Sequence, residues 1–280
     1  MEKPEYQPNI PQAILLLLLY SFVFSLVPWL FFLSLSQVLG FKADDLLLEA
    51  ATTMIGFTTL LFWIQRRHRI DYRALWAAQQ LKVWYILPML MVVIGAVIGL
   101  SEIDNLLRVF LPMNKYWVQV FGELSVADQA GLWKFVLVAV IVAPVVEEML
   151  FRGIILKGFL KHYSPHRAIA VSALLFGIAH LNPWQFWTGV IWGSIAGWWY
   201  YETSSLVPCI LGHALVNSLS IIAIDFFRLK IPGFTTDNQS NIYQPLWFDV
   251  MGIGLLVLGV WILVKLFRSK RPGVNGLNEC

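Results

Sequence analysis

Long apolar runs separated by short polar intervals fill the chain. Eight of them, at 13–39, 46–65, 83–101, 132–157, 168–181, 184–202, 205–224 and 247–267, read as membrane helices, for which ~20 residues suffice. The fifth is short, which predicts a helix that starts near one surface and ends inside the protein, where interrupted backbone is tolerated if protein or water satisfies it. The longest polar intervals, 102–131 and 225–246, carry too little apolar periodicity to build a core of their own. The first of them contains Leu106, Leu107, Val109, Phe110, Leu111, Tyr116 and Trp117, expected either as short helices in the outer interface or as an ordered loop. The fold expected is all-α, a polytopic membrane bundle of about eight transmembrane helices.

Composition agrees, since 58% of residues are hydrophobic and 13% charged, against about 25% charged in soluble domains. The densest basic clusters, 66–73 and 265–271, fall on the same side if the N-terminus is inside, so both termini are expected in the cytoplasm. The net charge of +3 comes from these flanking segments and points to membrane orientation and the lipid bilayer, with no nucleic-acid motif. The first run is too long for a signal-peptide core and lacks a small-residue cleavage site, so it is read as a retained helix. Cys209 and Cys280 form neither a disulfide framework nor a thiolate metal site.

The run at 184–202 carries Gly189, Gly193 and Gly197 at four-residue spacing, a stripe that lets helix backbones approach closely. Trp184, Trp187, Trp198, Trp199, Tyr200 and Tyr201 flank it, where amphipathic rings prefer the membrane interface.

The fourth run holds two adjacent carboxylates, Glu147 and Glu148, each of which costs about 2.5–3.5 kcal/mol at the centre of a membrane helix. Glu148 and Arg152 stand four apart and can pair, while Glu147 lies about 100° round the helix. The division expected gives Glu148 and Arg152 a supporting role and leaves Glu147 free as a general base. Pro144 removes a helix hydrogen bond, so the carbonyl of residue 140 should lose its donor and the helix should kink.

His180 ends the fifth run, and His213 with Asn217 shares a face of the seventh. Counted at ~1.5 Å per residue from the inner ends of their runs, Glu147, His180, His213 and Asn217 all fall about 12–20 Å deep. His68, His162 and His166 are expected in solvated loops. A carboxylate, two imidazoles and an amide suit hydrolysis: Glu147, with His180, would polarise water, and His213 with Asn217 would stabilise an oxyanion. Glu147, His180 and His213 could instead hold a divalent metal such as zinc, although H-E-x-x-H is absent. A water-activating glutamate with no required cofactor is the favoured reading.

Glu147, Glu148 and Arg152 resemble the E-E-x-x-x-R motif, Phe176 to His180 the F-x-x-x-H motif, and His213 to Asn217 the H-x-x-x-N motif of the CAAX prenyl endopeptidase and bacteriocin-processing (CPBP, Abi) family. The resemblance covers about residues 130–225. It implies an all-helical intramembrane protease, with Glu147 and His180 activating water and His213 and Asn217 supporting the oxyanion, and leaves metal assistance open. The expected substrate is a membrane-associated or lipidated peptide or protein. A non-catalytic scaffold or immunity protein and a proton-coupled transporter are the alternatives. The chain is accordingly divided into helices 1–3 with an outer loop (1–129), the catalytic core of helices 4–7 (130–225), and a loop, last helix and basic tail (226–280). A bacterial plasma membrane is the expected setting.

Overall fold

The computed structural model describes residues 4–40, 45–70, 82–113, 129–235 and 243–269. Among these residues the chain is helical, apart from turns, extended links and one isolated bridge between Glu5 and Arg69. The helices are α1 (Ile10–Leu39), α2 (Asp45–Arg67), α3 (Val83–Phe110), α4 (129–162), α5 (Pro165–Ala179), α6 (Pro183–Thr203), α7 (Val207–Phe226) and α8 (Leu246–Arg268). Of these, α1, α3, α7 and α8 are long and apolar enough to cross a membrane on that ground alone. The 15 residues of α5 span ~22 Å, less than a hydrocarbon core of ~30 Å.

Each boundary has a local cause. Asn9 opens α1 with a capping box, its side chain accepting from the Gln12 amide at 3.1 Å while Gln12 accepts from the Asn9 amide at 3.0 Å. Gly40 closes the same helix with φ of 72°, a conformation glycine adopts without a side-chain penalty. Between α5 and α6, Leu181 takes φ of 54°, and Asn182 secures the turn. Its side chain accepts from the Gln185 amide at 2.8 Å and donates to the His180 carbonyl at 3.0 Å.

Residues 102–110, expected as interfacial helices or a loop, instead continue α3. The apolar positions there keep helical spacing, and Asp104 pairs with Arg108 one turn on at 2.6 Å. Tyr116 and Trp117 lie outside the described residues.

The chain divides into two compact units, one of Met1–Ala78 with Pro112–Ile221, the other of Gln79–Leu111 with Ile222–Cys280. In the second, α3 and α8 touch through glycines. A side chain at Gly95 would lie 2.5 Å from the Gly252 carbonyl, and one at Gly259 would lie 2.7 Å from that of Pro88. The crossed order of these pairs makes the helices antiparallel. The chain before α8 is fastened to α3: the Gln244 amide donates to Glu102 at 3.0 Å, and Asn105 donates to the Gly233 carbonyl at 2.8 Å.

In the first unit, residues 4–9 run across the ends of α2 and α4. The Arg69 amide donates to the Pro4 carbonyl at 2.8 Å, Glu5 pairs with Lys157 at 2.6 Å, and His162 meets the Gln7 carbonyl at 3.0 Å. Tyr6 stacks obliquely on His68, ring centres 4.9 Å apart. His68, expected in a solvated loop, is half-buried against Tyr6, whereas His162 and His166 are exposed, His162 meeting the N-terminal segment at the surface. The start of α1 and the ends of α2 and α4 lie on one face of this unit.

The glycine stripe of α6 packs on α5, as its spacing suggests. Added side chains at Gly189 and Gly193 would come within 2.8 and 2.9 Å of the Cα atoms of Gly177 and Ala173. This close approach corrects the interfacial placement of part of the aromatic set. Trp184, Trp199 and Tyr200 are buried in protein, whereas Trp187 and Tyr201 stay exposed.

Candidate active site

Helix α4 changes register twice around its carboxylates. Two π stretches, Val136–Val142 and Met149–Leu156, bracket an α segment at Ala143–Glu148. Such insertions rotate the following face of a helix and occur often at functional sites. They also move the consequence of Pro144. The Ala143 amide bonds to the Val138 carbonyl five residues back, so in that register the amide missing at position 144 would have faced Ala139, one residue before the expected 140. Asn217 of α7 supplies the substitute donor, its Nδ2 lying 2.8 Å from the Ala139 oxygen.

The residues around Glu148 form a closed knot. Glu148 is 0% exposed and Arg152 1%. The Arg152 guanidinium lies 3.0 Å from Oε2 of Glu148, while Oε1 accepts from Trp192 at 3.1 Å and meets Nδ1 of His213 at 2.8 Å. Arg152 also donates to the Gly193 carbonyl at 3.2 Å. Phe176 lies at the centre. Its ring sits 4.8 Å from the Arg152 guanidinium and meets His180 and His213 edge-on, with centres 5.0 and 5.8 Å away. The Phe of F-x-x-x-H thus separates two imidazoles and stacks on the supporting cation.

Trp192 was not singled out by the sequence reading. It is buried, edge-on to Trp199 at 5.7 Å, and covers Gly212. The available signal was a tryptophan in mid-span, whose indole N–H requires an acceptor when buried.

Glu147 has different surroundings. Its side chain is 32% exposed, yet Oε2 is buried without a hydrogen-bond partner, 3.9 Å from Nε2 of His213. Glu147 and His180 line a cavity of about 370 Å³. The His180 ring is set by its Nδ1, 2.8 Å from the Phe176 carbonyl, which leaves Nε2 uncommitted. Neither His213 nor Asn217 lines this cavity. His213 sits buried behind Glu147, and Asn217 is held at Ala139, eight positions before Glu147 on α4. The structure thus gathers Glu147, Glu148, Arg152, His180 and His213 around Phe176 and fastens Asn217 to the backbone beside them.

The facing cavity wall comes from α1 and α2, with Tyr20, Ser21, Ser25 and Thr53 among mostly apolar neighbours. Tyr20 and Ser25 lie in the π stretch Leu19–Leu26. There, i→i+5 bonding brings residues five apart onto one face, whereas at 3.6 residues per turn they would diverge by ~140°. Sequence reasoning missed this wall; three hydroxyls clustered in an apolar run were its only sign.

Glu147 and His213 converge to 3.9 Å, but among the described residues no three His, Cys, Asp or Glu side chains are close enough to share an ion. The set Glu147, His180 and His213 does not form a ligand cage as placed.

Residues 129–219 match the family model of the type II CAAX prenyl endopeptidases, Rce1-like. No curated protein and no solved structure gives a significant match. The matched segment runs from the start of α4 into α7 and contains all six polar residues described above.

Proposed function

We propose that this membrane protein, whose residues 129–219 match the CAAX prenyl endopeptidase family model, is an intramembrane endopeptidase acting on a membrane-associated or lipidated peptide through glutamate- and histidine-activated water. The observation that carries this is the partnerless buried oxygen of Glu147, set between His213 and a cavity that His180 also lines.

A water held at Glu147, its second O–H donating a hydrogen bond to His180 Nε2, attacks the scissile carbonyl carbon. Its proton passes to Glu147 as the C–O bond forms, and the carbonyl electron pair moves onto oxygen. His213 as an imidazolium donates from Nε2 to that oxyanion, its Nδ1–H anchored on Glu148. Collapse breaks the C–N bond, and the proton on Glu147 goes to the leaving amine.

We read all eight helices as membrane-embedded with both termini cytoplasmic. Residues 4–9 tie together the ends of α2 and α4, as the positive-inside arrangement requires of segments sharing one side.

The test is cleavage of a panel of lipidated C-terminal peptides and unmodified membrane-anchored peptides by the protein in nanodiscs, read by mass spectrometry. Glu147→Ala should lower the rate by about 10²–10⁴-fold; undiminished cleavage by that variant would overturn the assignment. Activity that survives exhaustive chelation supports metal-free water activation, whereas loss reversed by zinc establishes the metal-assisted version.

A further inference from the structure

Asn217 is expected from its motif to donate to an oxyanion, but its observed contact is with backbone. Three facts converge on Ala139. The stretch Val136–Val142 is bonded in π register, with the Ala143 amide on Val138. The next donor in that register would be residue 144, a proline with no N–H. Nδ2 of Asn217, on a different helix, lies 2.8 Å from the carbonyl so orphaned. In a membrane an unsatisfied backbone carbonyl has no water to turn to.

We infer that Asn217 is a positioning residue: it replaces the hydrogen bond that Pro144 deletes, and by joining α7 to α4 it fixes Glu147 against His213. The proline and the asparagine are one device. Pro144 frees a carbonyl just before the catalytic carboxylate, and Asn217, one turn beyond His213 on α7, takes it. Because both helices are held at this bond, the 3.9 Å approach of Glu147 to His213 is set from outside the cavity. This rests on the proposed reading of Glu147 as the base and His213 as the oxyanion donor.

The device makes a prediction that an oxyanion donor does not. In Asn217→Ala, kcat should fall about ten- to a hundred-fold, the range for an orphaned buried carbonyl, with KM little changed because the cavity wall is intact. Introducing Pro144→Ala restores an N–H at the position the π register aims at Ala139. The double variant Pro144→Ala/Asn217→Ala should therefore recover kcat to within about three-fold of Pro144→Ala alone. If Asn217 instead stabilises the oxyanion directly, the double variant stays as impaired relative to Pro144→Ala as the single variant is relative to wild type, and the inference falls. Thermal unfolding of the four proteins in nanodiscs gives a readout independent of turnover. Asn217→Ala should lower the midpoint and the second substitution should recover it; additive losses would overturn the proposed device even if no peptide is cleaved. Absence of Glu147-dependent cleavage, with the midpoint rescue intact, would overturn the protease reading and leave the Pro144–Asn217 pairing standing.

Discussion

Glu147 and Glu148 are neighbours in sequence and live in opposite surroundings. Glu148 is sealed: Trp192 and His213 bond to its Oε1, and its Oε2 is ion-paired with Arg152 at 3.0 Å without a hydrogen bond. Glu147 faces a cavity, and one of its oxygens is buried with no partner. The difference shows how a membrane helix can carry two carboxylates with separate tasks. A carboxylate tied to a cation and two N–H groups orients what it touches, whereas one facing open space keeps a lone pair available to water or substrate. The turn from α to π register after Glu148 helps sort them, because it directs Arg152 and the residues beyond it into protein.

The largest expected effect on stability comes from breaking the sealed side. Arg152→Met would leave Glu148 as an uncompensated buried charge and should destabilise the fold by about 3–5 kcal/mol, read as a lowered midpoint in denaturant or thermal unfolding. Glu147→Ala, which abolishes turnover under the proposed mechanism, should shift the same midpoint far less. If the two variants lose equal stability, the contrast between a structural and a chemical glutamate is wrong.

Trp192→Phe probes the knot more gently. It removes the indole N–H, a hydrogen bond to a charged acceptor of about 1.5–3 kcal/mol, and also the outer ring atoms that rest on Gly212, which adds a cavity cost at a buried site. Since His213 retains its own bond to Glu148, the fall in stability should exceed the fall in kcat when both are expressed as free energies. A larger loss in kcat would move Trp192 from supporting Glu148 to orienting His213.

The sequence made one side of this contrast far more legible than the other. Charged residues in an apolar run announce themselves by their cost, so Glu147, Glu148 and Arg152 were visible, and the i,i+4 pairing followed from helix geometry. The helices lie within a few residues of the apolar runs for the same reason, with α3 exceeding its run because an ion pair and helical spacing carry it past Ser101. The cavity wall on α1 was hidden. Tyr20 and Ser25 share a face only in π register, and no local rule read from the chain announces that change. Asn217 was found as a polar residue at helical spacing from His213, but its partner depends on the shift from residue 140 to 139, which is again a matter of register. Trp192 was passed over because tryptophan in a membrane protein is first read as an interfacial ring.

The smallest effect lies farthest from the cavity and tests whether the N-terminal segment acts as a clip. Lys157 beside Glu5 holds that carboxyl below the ordinary carboxylate range, and Gln7 adds a second hydrogen bond against the opposing effect of partial burial. A carboxyl whose pKa is lower in the folded state stabilises the fold above its ordinary value, about 4.3, and loses that contribution as the pH falls through the folded value. The pair is about a third exposed on the Glu5 side, so solvent screening limits it to about 0.2–1 kcal/mol. Glu5→Gln should therefore melt slightly below wild type at pH 7, and the gap should close as the pH falls below the folded value of Glu5, where both side chains are neutral. A gap that persists at low pH would assign the clip to the backbone bonds between residues 4–6 and Arg69, which do not titrate. It would also confine the sensitivity of this chain to buried charge to the sealed knot around Glu148.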